Sequence, residues 1–225
     1  MILLNVIKNV LGRKEPAPAV LAPGDGATRR VLNVGGGSRE IAIPQWYQDW
    51  THLLLDIDPL TGADVVLDAR QLGTLPSSLF DAVYCSHNLE HYYQHDVSKV
   101  LAGFLHVLKP DGFAEIHVPD MQQVMRHFVE NGGDIHGILY QSPAGPISVH
   151  DVMYGWGKQI AASGVDFYAH KTGFTPNSLR QVLLAAGFAE VWLNASNTEF
   201  AIGALVFKQA PTAAQRLLLN LPPSQ

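Results

Sequence analysis

One cysteine stands in the 225 residues, Cys85, so no internal disulfide can staple the fold. It sits in an apolar run, which suits a reduced, cytoplasmic protein. No run of lysine or arginine occurs; the densest pairs are Arg13-Lys14 and Arg29-Arg30, and the formal net charge is −5. The basic stripe of a nucleic-acid binder is therefore missing, and no nucleic-acid partner is expected. No apolar stretch approaches the roughly 20 residues needed to cross a bilayer, so no transmembrane segment is expected. Residues 1–14 lack the positive residues that precede the apolar run of a signal peptide. Their spacing of Leu3, Leu4, Val6, Ile7, Val10 and Leu11 instead suggests an amphipathic helix. Such a helix would dock on the domain or on a second copy of the chain, giving a homodimer; weak peripheral contact with a membrane is the other reading. A chain of this length buries roughly 70% of its unfolded surface, enough for one full core.

The stretch that is present in strength is Val31-Leu32-Asn33-Val34-Gly35-Gly36-Gly37. An apolar strand runs into three glycines, where the backbone can turn sharply and let a ligand approach. Twenty-one residues after Gly35, a second apolar run, Leu53-Leu54-Leu55, ends in Asp56-Ile57-Asp58-Pro59. A glycine loop after one strand and an acid at the tip of the next is the arrangement that holds an adenosine ribose. Asp58 is read as a turn former ahead of Pro59.

Further strands are expected at residues 63–67, ending in Asp68-Ala69, at 80–85 and at 113–118. Residues 38–41 should continue the glycine loop into a short helix. Val97, Val100, Leu101, Phe104 and Leu108 mark an amphipathic helix over 96–108. Lys109-Pro110-Asp111-Gly112 reads as a type I turn. Alternation of strands and helices implies a doubly wound α/β sheet. Residues 120–174 are less regular: a helix from Met121, a loop at 141–146 and a helix over 149–163 are expected. So long a connection reads as a lid or recognition insertion. Thr175-Pro176 starts the next helix and Gly187 ends it. Two strands then close the domain, at 188–193 and 199–207, joined by a short turn that makes them antiparallel.

In this order the residues resemble class I S-adenosylmethionine-dependent methyltransferases, of the type 11 kind. Asn33-Val34-Gly35-Gly36-Gly37 is similar to the family's first motif, with Asn33 in place of the usual acid. An amide there can accept a hydrogen bond but offers no charge to the cofactor's ammonium. Asp56 matches the acid that takes the ribose hydroxyls, and Asp68-Ala69 the pair that reads the adenine. Phe80-Asp81-Ala82-Val83-Tyr84-Cys85-Ser86 and the following His87-Asn88-Leu89-Glu90-His91 resemble the fourth strand and its continuation. The resemblance implies a Rossmann-like sheet of seven strands, mostly parallel with an antiparallel last strand. It places a domain at 30–208, with the 120–174 insertion, between an N-terminal helix and linker at 1–29 and a tail at 209–225. Asn33, Gly35, Gly36, Gly37, Asp56, Ile57, Asp68, Ala69 and Ser86 are the implied S-adenosylmethionine contacts.

His87 and His91 fall just past the fourth strand, on the edge where open α/β sheets bind ligands. A histidine there can deprotonate an acceptor hydroxyl or amine; packed, hydrogen-bonded rings are the other reading. In the insertion His150, Tyr154 and His170, with Trp156 and Lys171 beside them, are candidates for holding the acceptor, against lid core or surface loop. The expected reaction is methyl transfer to an oxygen or nitrogen of a small molecule or glycan. The alternative is a non-catalytic protein that keeps the fold and works through partner contact. His87 to His91 also spell His-x-x-Glu-His, a zinc-peptidase pattern, and His95 adds a third histidine four residues on. That pattern needs a helix, and here it follows a strand directly, so no metal is assigned. A nicotinamide dehydrogenase would need a third glycine where Glu40 stands.

Overall fold

The computed structural model describes Leu21 and residues 28–142, 145–195 and 200–222. The expected N-terminal helix and nearly all of the linker lie outside them. The strands are β1 (Arg30–Val34), β2 (Thr51–Asp56), β3 (Val65–Val66), β4 (Phe80–Ser86), β5 (Leu108–Pro119), β6 (Ile138–Ser142), β7 (Gly145–Ser148), β8 (Glu190–Ala195) and β9 (Ala201–Phe207). Seven of them form one sheet in the order β3-β2-β1-β4-β5-β9-β8. The pairs among β1 to β5 are parallel, and β9 runs antiparallel to both its neighbours, β5 and β8. Six strands thus point one way and β9 alone opposes them, the Rossmann-like arrangement expected. The chain builds outward from β1 to β3, then crosses back to β4 on the other side of β1. That reversal opens a crevice beyond the carboxyl ends of β1 and β4, where such sheets bind ligands.

β1 is buried along its whole length, as a strand covered on both faces must be. Alternate side chains serve different cores. Leu32 and Val34 join Leu53, Leu55, Val83 and Ile116 on one face, whereas Val31 joins Tyr47, Ala82, Phe113 and Phe207 on the other. The first face is covered by α1 (Gln94–Val107), which buries Val97, Val100, Leu101 and Phe104. Each such side chain contributes about 1.5–3 kcal/mol. Beside it packs α5 (Pro176–Ala186), started by a reciprocal Thr175–Ser178 capping box and ended at Gly187 with φ +108°, as the sequence implied.

The second face is covered differently from expectation. No helix follows the glycine loop; residues 38–44 turn, and Gln45–Tyr47 forms one 3-10 turn. The span between Gly37 and Pro44 is too short to repay helix nucleation. Tyr47, 1% exposed, instead drops its ring onto the sheet. Its hydroxyl donates to Glu115 Oε2 at 2.9 Å, and Trp46 Nε1 donates to the same oxygen at 3.2 Å. The stretch expected as a tail carries α6 (Ala213–Leu218); Leu219 behind it is buried with Phe113 and Phe207. Residues 109–112 make no separate turn before β5. Phe80 pairs with Leu108 and Ala82 with Phe113, so the four residues bulge out within the strand.

Asp120 ends β5 and caps α2 (Met121–Glu130), accepting from the backbone N–H of Gln122 and Gln123. The loop expected at 141–146 falls within the β6–β7 hairpin, of which residues 143–144 lie outside the described set. The helix expected over 149–163 is two, α3 (Val149–Tyr154) and α4 (Gly157–Ser163). The break is Gly155, at φ +97°, where a Cβ would run into the Tyr168 carbonyl. Val124, Leu139, Val149, Val152 and Phe200 give the insertion a small core of its own. Its two ends meet where Asp120 bridges Phe174. No helix among the described residues is long and apolar enough to cross a membrane.

Cys85, fully buried in β4, has its thiol pushed far up, first by burial and then by the charge of Glu90. A thiol so held forms no thiolate for attack. Native protein should therefore resist iodoacetamide at pH 8, and urea-unfolded protein should react at the rate of free cysteine, as mass spectrometry would show. Rapid labelling of native protein would contradict this burial.

Candidate active site

The floor of the crevice is the glycine loop. Gly35 donates its N–H to the Leu55 carbonyl at 2.8 Å. A Cβ on Gly35 would strike the Asn88 side chain, and one on Gly36 would strike that of Asn33. The loop thus lies directly on two amides. Asn33 Oδ1 and Asn88 Oδ1 are both buried without a hydrogen-bond partner. Leaving such an acceptor unmet costs about 1–3 kcal/mol, so each suits a donor brought by a ligand. Both residues line a cavity of about 480 Å³, within the size range of small-ligand sites.

Asp56 ends β2 beside this floor and is 8% exposed. Its Oδ2 accepts from Gly37 N at 3.0 Å and its Oδ1 from Asp58 N at 2.9 Å. Each carboxylate oxygen has a second lone pair, so two acceptor positions remain for a diol. Ile57 lines the cavity as well. Asp58 is the turn former expected, accepting from Leu60 N at 2.9 Å. Asp68 reaches the cavity but is also a cap, accepting from Arg70 N, Nε and Nη2. Burial would raise its carboxyl, and the Arg70 contacts outweigh that and hold it below the usual range. Arg70 continues to Asp96 at 3.1 Å. Ala69, 1% exposed, is packed in the core and does not face the cavity.

Beyond β4 the chain turns at His87, a non-glycine residue at φ +50°, and makes a 3-10 turn over Leu89–His91. Ser86, His87 and His91 line the same cavity as the glycine loop. His87 Nδ1 lies 3.5 Å from Oε1 of Glu90, a carboxylate only 1% exposed. Burial opposes a charged His87 ring, but the contact and charge of Glu90 win and raise it above the ordinary imidazole value. Burial likewise opposes the Glu90 anion, and His87, His91 and His170 together hold it low. The end of the insertion, residues 166–172, lies over this turn as a strap. Lys171 N and Thr172 N both donate to the Glu90 carbonyl, at 2.8 and 3.1 Å. Phe167, Tyr168 and Lys171 of the strap form a cavity wall, and the Tyr168 hydroxyl donates to Asp58 Oδ2 at 3.4 Å.

The structure therefore gathers Asn33, the three glycines, Asp56, Ile57, Asp68, Ser86, His87 and His91 around one space. His170 stands one layer behind it, next to Glu90, its basicity lowered chiefly by burial. His150 and Tyr154 are not brought to the cavity; they pack on each other, ring centroids 5.0 Å apart. Asn88, Arg70 and the Phe167-Tyr168 pair are cavity residues that sequence reasoning missed. The aromatic pair just ahead of the Thr175 cap was the available signal.

Residues 44–116 match the family model described as a methyltransferase domain. No curated protein matches the chain by sequence. Among solved structures, a SAM-dependent methyltransferase from Archaeoglobus fulgidus is similar at 16% identity and TM-score 0.52, over 81% of this chain and 87% of that one. A SAM-dependent methyltransferase from Methanosarcina mazei is similar at 15% identity and TM-score 0.50, over 80% and 92%. A possible histamine N-methyltransferase from Thermotoga maritima is similar at 13% identity and TM-score 0.50, over 80% and 82%. These likenesses define the fold, and the family model defines the domain. Residues 44–116 thus match a methyltransferase domain, and the sheet around them has the fold of S-adenosylmethionine-dependent methyltransferases.

Proposed function

We propose that the enzyme methylates an oxygen or nitrogen of a small-molecule or glycan acceptor held beneath the 166–172 strap. The observation that carries this reading is one cavity lined by two unlike sets of groups. One set is the orphaned amide oxygens, the close-approach glycines and Asp56; the other is His87, His91 and the aromatic pair of the strap. Bound S-adenosylmethionine would supply an electrophilic methyl group. Asn33 and Asn88 would accept from its ammonium in place of the usual acid. Asp56 would take the ribose hydroxyls, and Ile57 and Asp68 would border the adenine. The strap would exclude water and set the acceptor in line with the methyl group.

His87 is the residue assigned to the acceptor's proton. Its Nδ1 faces Glu90, which leaves Nε2 toward chemistry and stabilises the ring once protonated, the logic of a base oriented by a carboxylate. The strap's side chains also fit the acceptor class: Phe167 and Tyr168 offer flat faces suited to a ring, and Lys171, ion-paired with Asp166, a cation beside them. Incubation with methyl-labelled S-adenosylmethionine and a panel of hydroxylated metabolites, amines and glycans tests this reading. Label should pass to one acceptor class, and His87→Ala should lower kcat by about 100-fold or more while leaving cofactor affinity within about threefold. Cofactor binding without transfer to any acceptor, and with protein partners captured instead, would favour the non-catalytic alternative.

A further inference from the structure

Behind the cavity wall, Glu90 not only faces His87 but also gathers with His91 and His170, a grouping that the methyl-transfer reading does not use. Glu90 is 1% exposed, and neither of its carboxylate oxygens has a hydrogen-bond partner. His87 Nδ1 at 3.5 Å and His170 Nε2 at 3.9 Å are side-chain nitrogens near Oε1. His91 and His170 stand edge to face, ring centroids 4.8 Å apart. His91 Nδ1 lies 3.1 Å from the Ala169 carbonyl, and His170 Nδ1 lies 2.7 Å from that of Val152. A carbonyl only accepts, so both Nδ1 atoms donate, and each ring keeps its lone pair on Nε2. Two imidazole lone pairs and a bare carboxylate are thus gathered where little water enters. Three acceptors facing one another call for a cation between them.

We propose that Glu90, His91 and His170 form a site for a divalent transition ion, zinc foremost. One ligand atom from each of the three lies within 4.8 Å of the others. A tetrahedral zinc ion holds such atoms about 3.3 Å apart, so closing on a metal needs movement on the order of 1 Å, within the reach of side-chain torsions. The donor set is borderline-soft and mixed, which favours zinc and its neighbours over magnesium or calcium. The Nδ1 bonds to backbone carbonyls are the outer shell that orients metal-binding imidazoles. His87 Nδ1 and His170 Nε2 both lie nearest Oε1, so an ion there needs the carboxylate to turn and present Oε2 to His87.

The ligands come from two parts of the chain. Glu90 and His91 belong to the turn after β4, and His170 to the strap. An ion here pins the strap over the cavity. Three protein ligands leave a fourth position open, and His91 borders the cavity. On the methyl-transfer reading, which this second role rests on, that position faces the acceptor and acidifies its hydroxyl.

Chelator-treated full-length protein, titrated with cobalt(II) and separately with zinc, tests the site. The expected result is one ion per chain, with the intense visible absorption of a four-coordinate cobalt centre. His170→Ala and Glu90→Gln should each weaken cobalt binding by at least about tenfold, whereas His95→Ala, on an exposed ring outside the cluster, should leave it unchanged. Zinc should raise the melting temperature of the wild type and not of His170→Ala. Absence of stoichiometric binding by folded wild-type protein would overturn the proposal, as would binding that both cluster variants retain. S-adenosylhomocysteine binding, measured calorimetrically on the same samples, reports on the cofactor site alone. If it persists without metal binding, only the metal site falls.

Discussion

Asp56→Ala is expected to abolish measurable binding of S-adenosylhomocysteine while leaving a folded protein. The residue ends β2, whose core contacts come from Leu53, Leu54 and Leu55, each at most 1% exposed. Removing the carboxylate therefore takes nothing from the sheet's interior. What it does remove is an acceptor pair already aligned by Gly37 N and Asp58 N. Hydrogen bonds to a charged group are worth about 1.5–3 kcal/mol each, so losing two costs about 100-fold or more in affinity. Asp56→Asn should fare little better. Its amide nitrogen cannot accept from either backbone N–H, so one side of the loop is repelled. Calorimetric titration of both variants checks the expectation, with circular dichroism to confirm the fold. Affinity within about threefold of wild type, a change of under 1 kcal/mol, would mean the ribose is held elsewhere.

The parts of this site that could be read from sequence are those written locally. A glycine loop after an apolar strand, an acid at the next strand's tip and a Thr-Pro helix start are each decided by neighbours in the chain. β1, Asp56 and α5 lie where those signals put them. Most of the misreadings are cases where a distant residue contributes. The helix expected after Gly37 is displaced because Tyr47 finds Glu115, 68 positions away. The turn at 109–112 becomes a bulge because Phe80 captures Leu108. The helix expected over 149–163 breaks because the strap passes so close to Gly155 that no Cβ fits. Asn88 carries no sign of a site role in its own surroundings beyond the His87–His91 stretch it belongs to; its meaning comes from Gly35 resting on its side chain. The strap is the largest omission. Residues 166–172 have no regular periodicity, and only their hydrogen bonds to the Glu90 carbonyl place them at the cavity.

The same long-range logic makes Glu115 a sensitive charged position in the body of the fold. It sits on β5, 4% exposed, and receives the Tyr47 hydroxyl and the Trp46 indole on one oxygen. His117 Nε2 lies 2.9 Å from the other. Burial, and then the Glu115 charge, push the Tyr47 hydroxyl well above its ordinary pKa, so it remains a proton donor at any working pH. Glu115→Ala would strand that hydroxyl in an aromatic nest formed with Trp50, Tyr84 and Phe113. Breaking a buried charged interaction costs about 3–5 kcal/mol. Three of those kcal/mol would lower the melting temperature of a chain this size by about 6–12 °C. Glu115→Gln keeps an acceptor for Tyr47 and should lose only about 1 kcal/mol. Tyr47→Phe added to Glu115→Ala should recover part of the loss, since it removes the stranded donor. Urea unfolding of the four proteins decides this. Equal stability of wild type and Glu115→Ala would show that the sheet holds the 3-10 segment without it. Because Ile41 and Ile43, just ahead of that segment, border the cavity, the expected loss of cofactor affinity in Glu115→Ala is real but smaller than in Asp56→Ala. The anchor sets the wall of the site, whereas Asp56 is the carboxylate proposed to take the ribose.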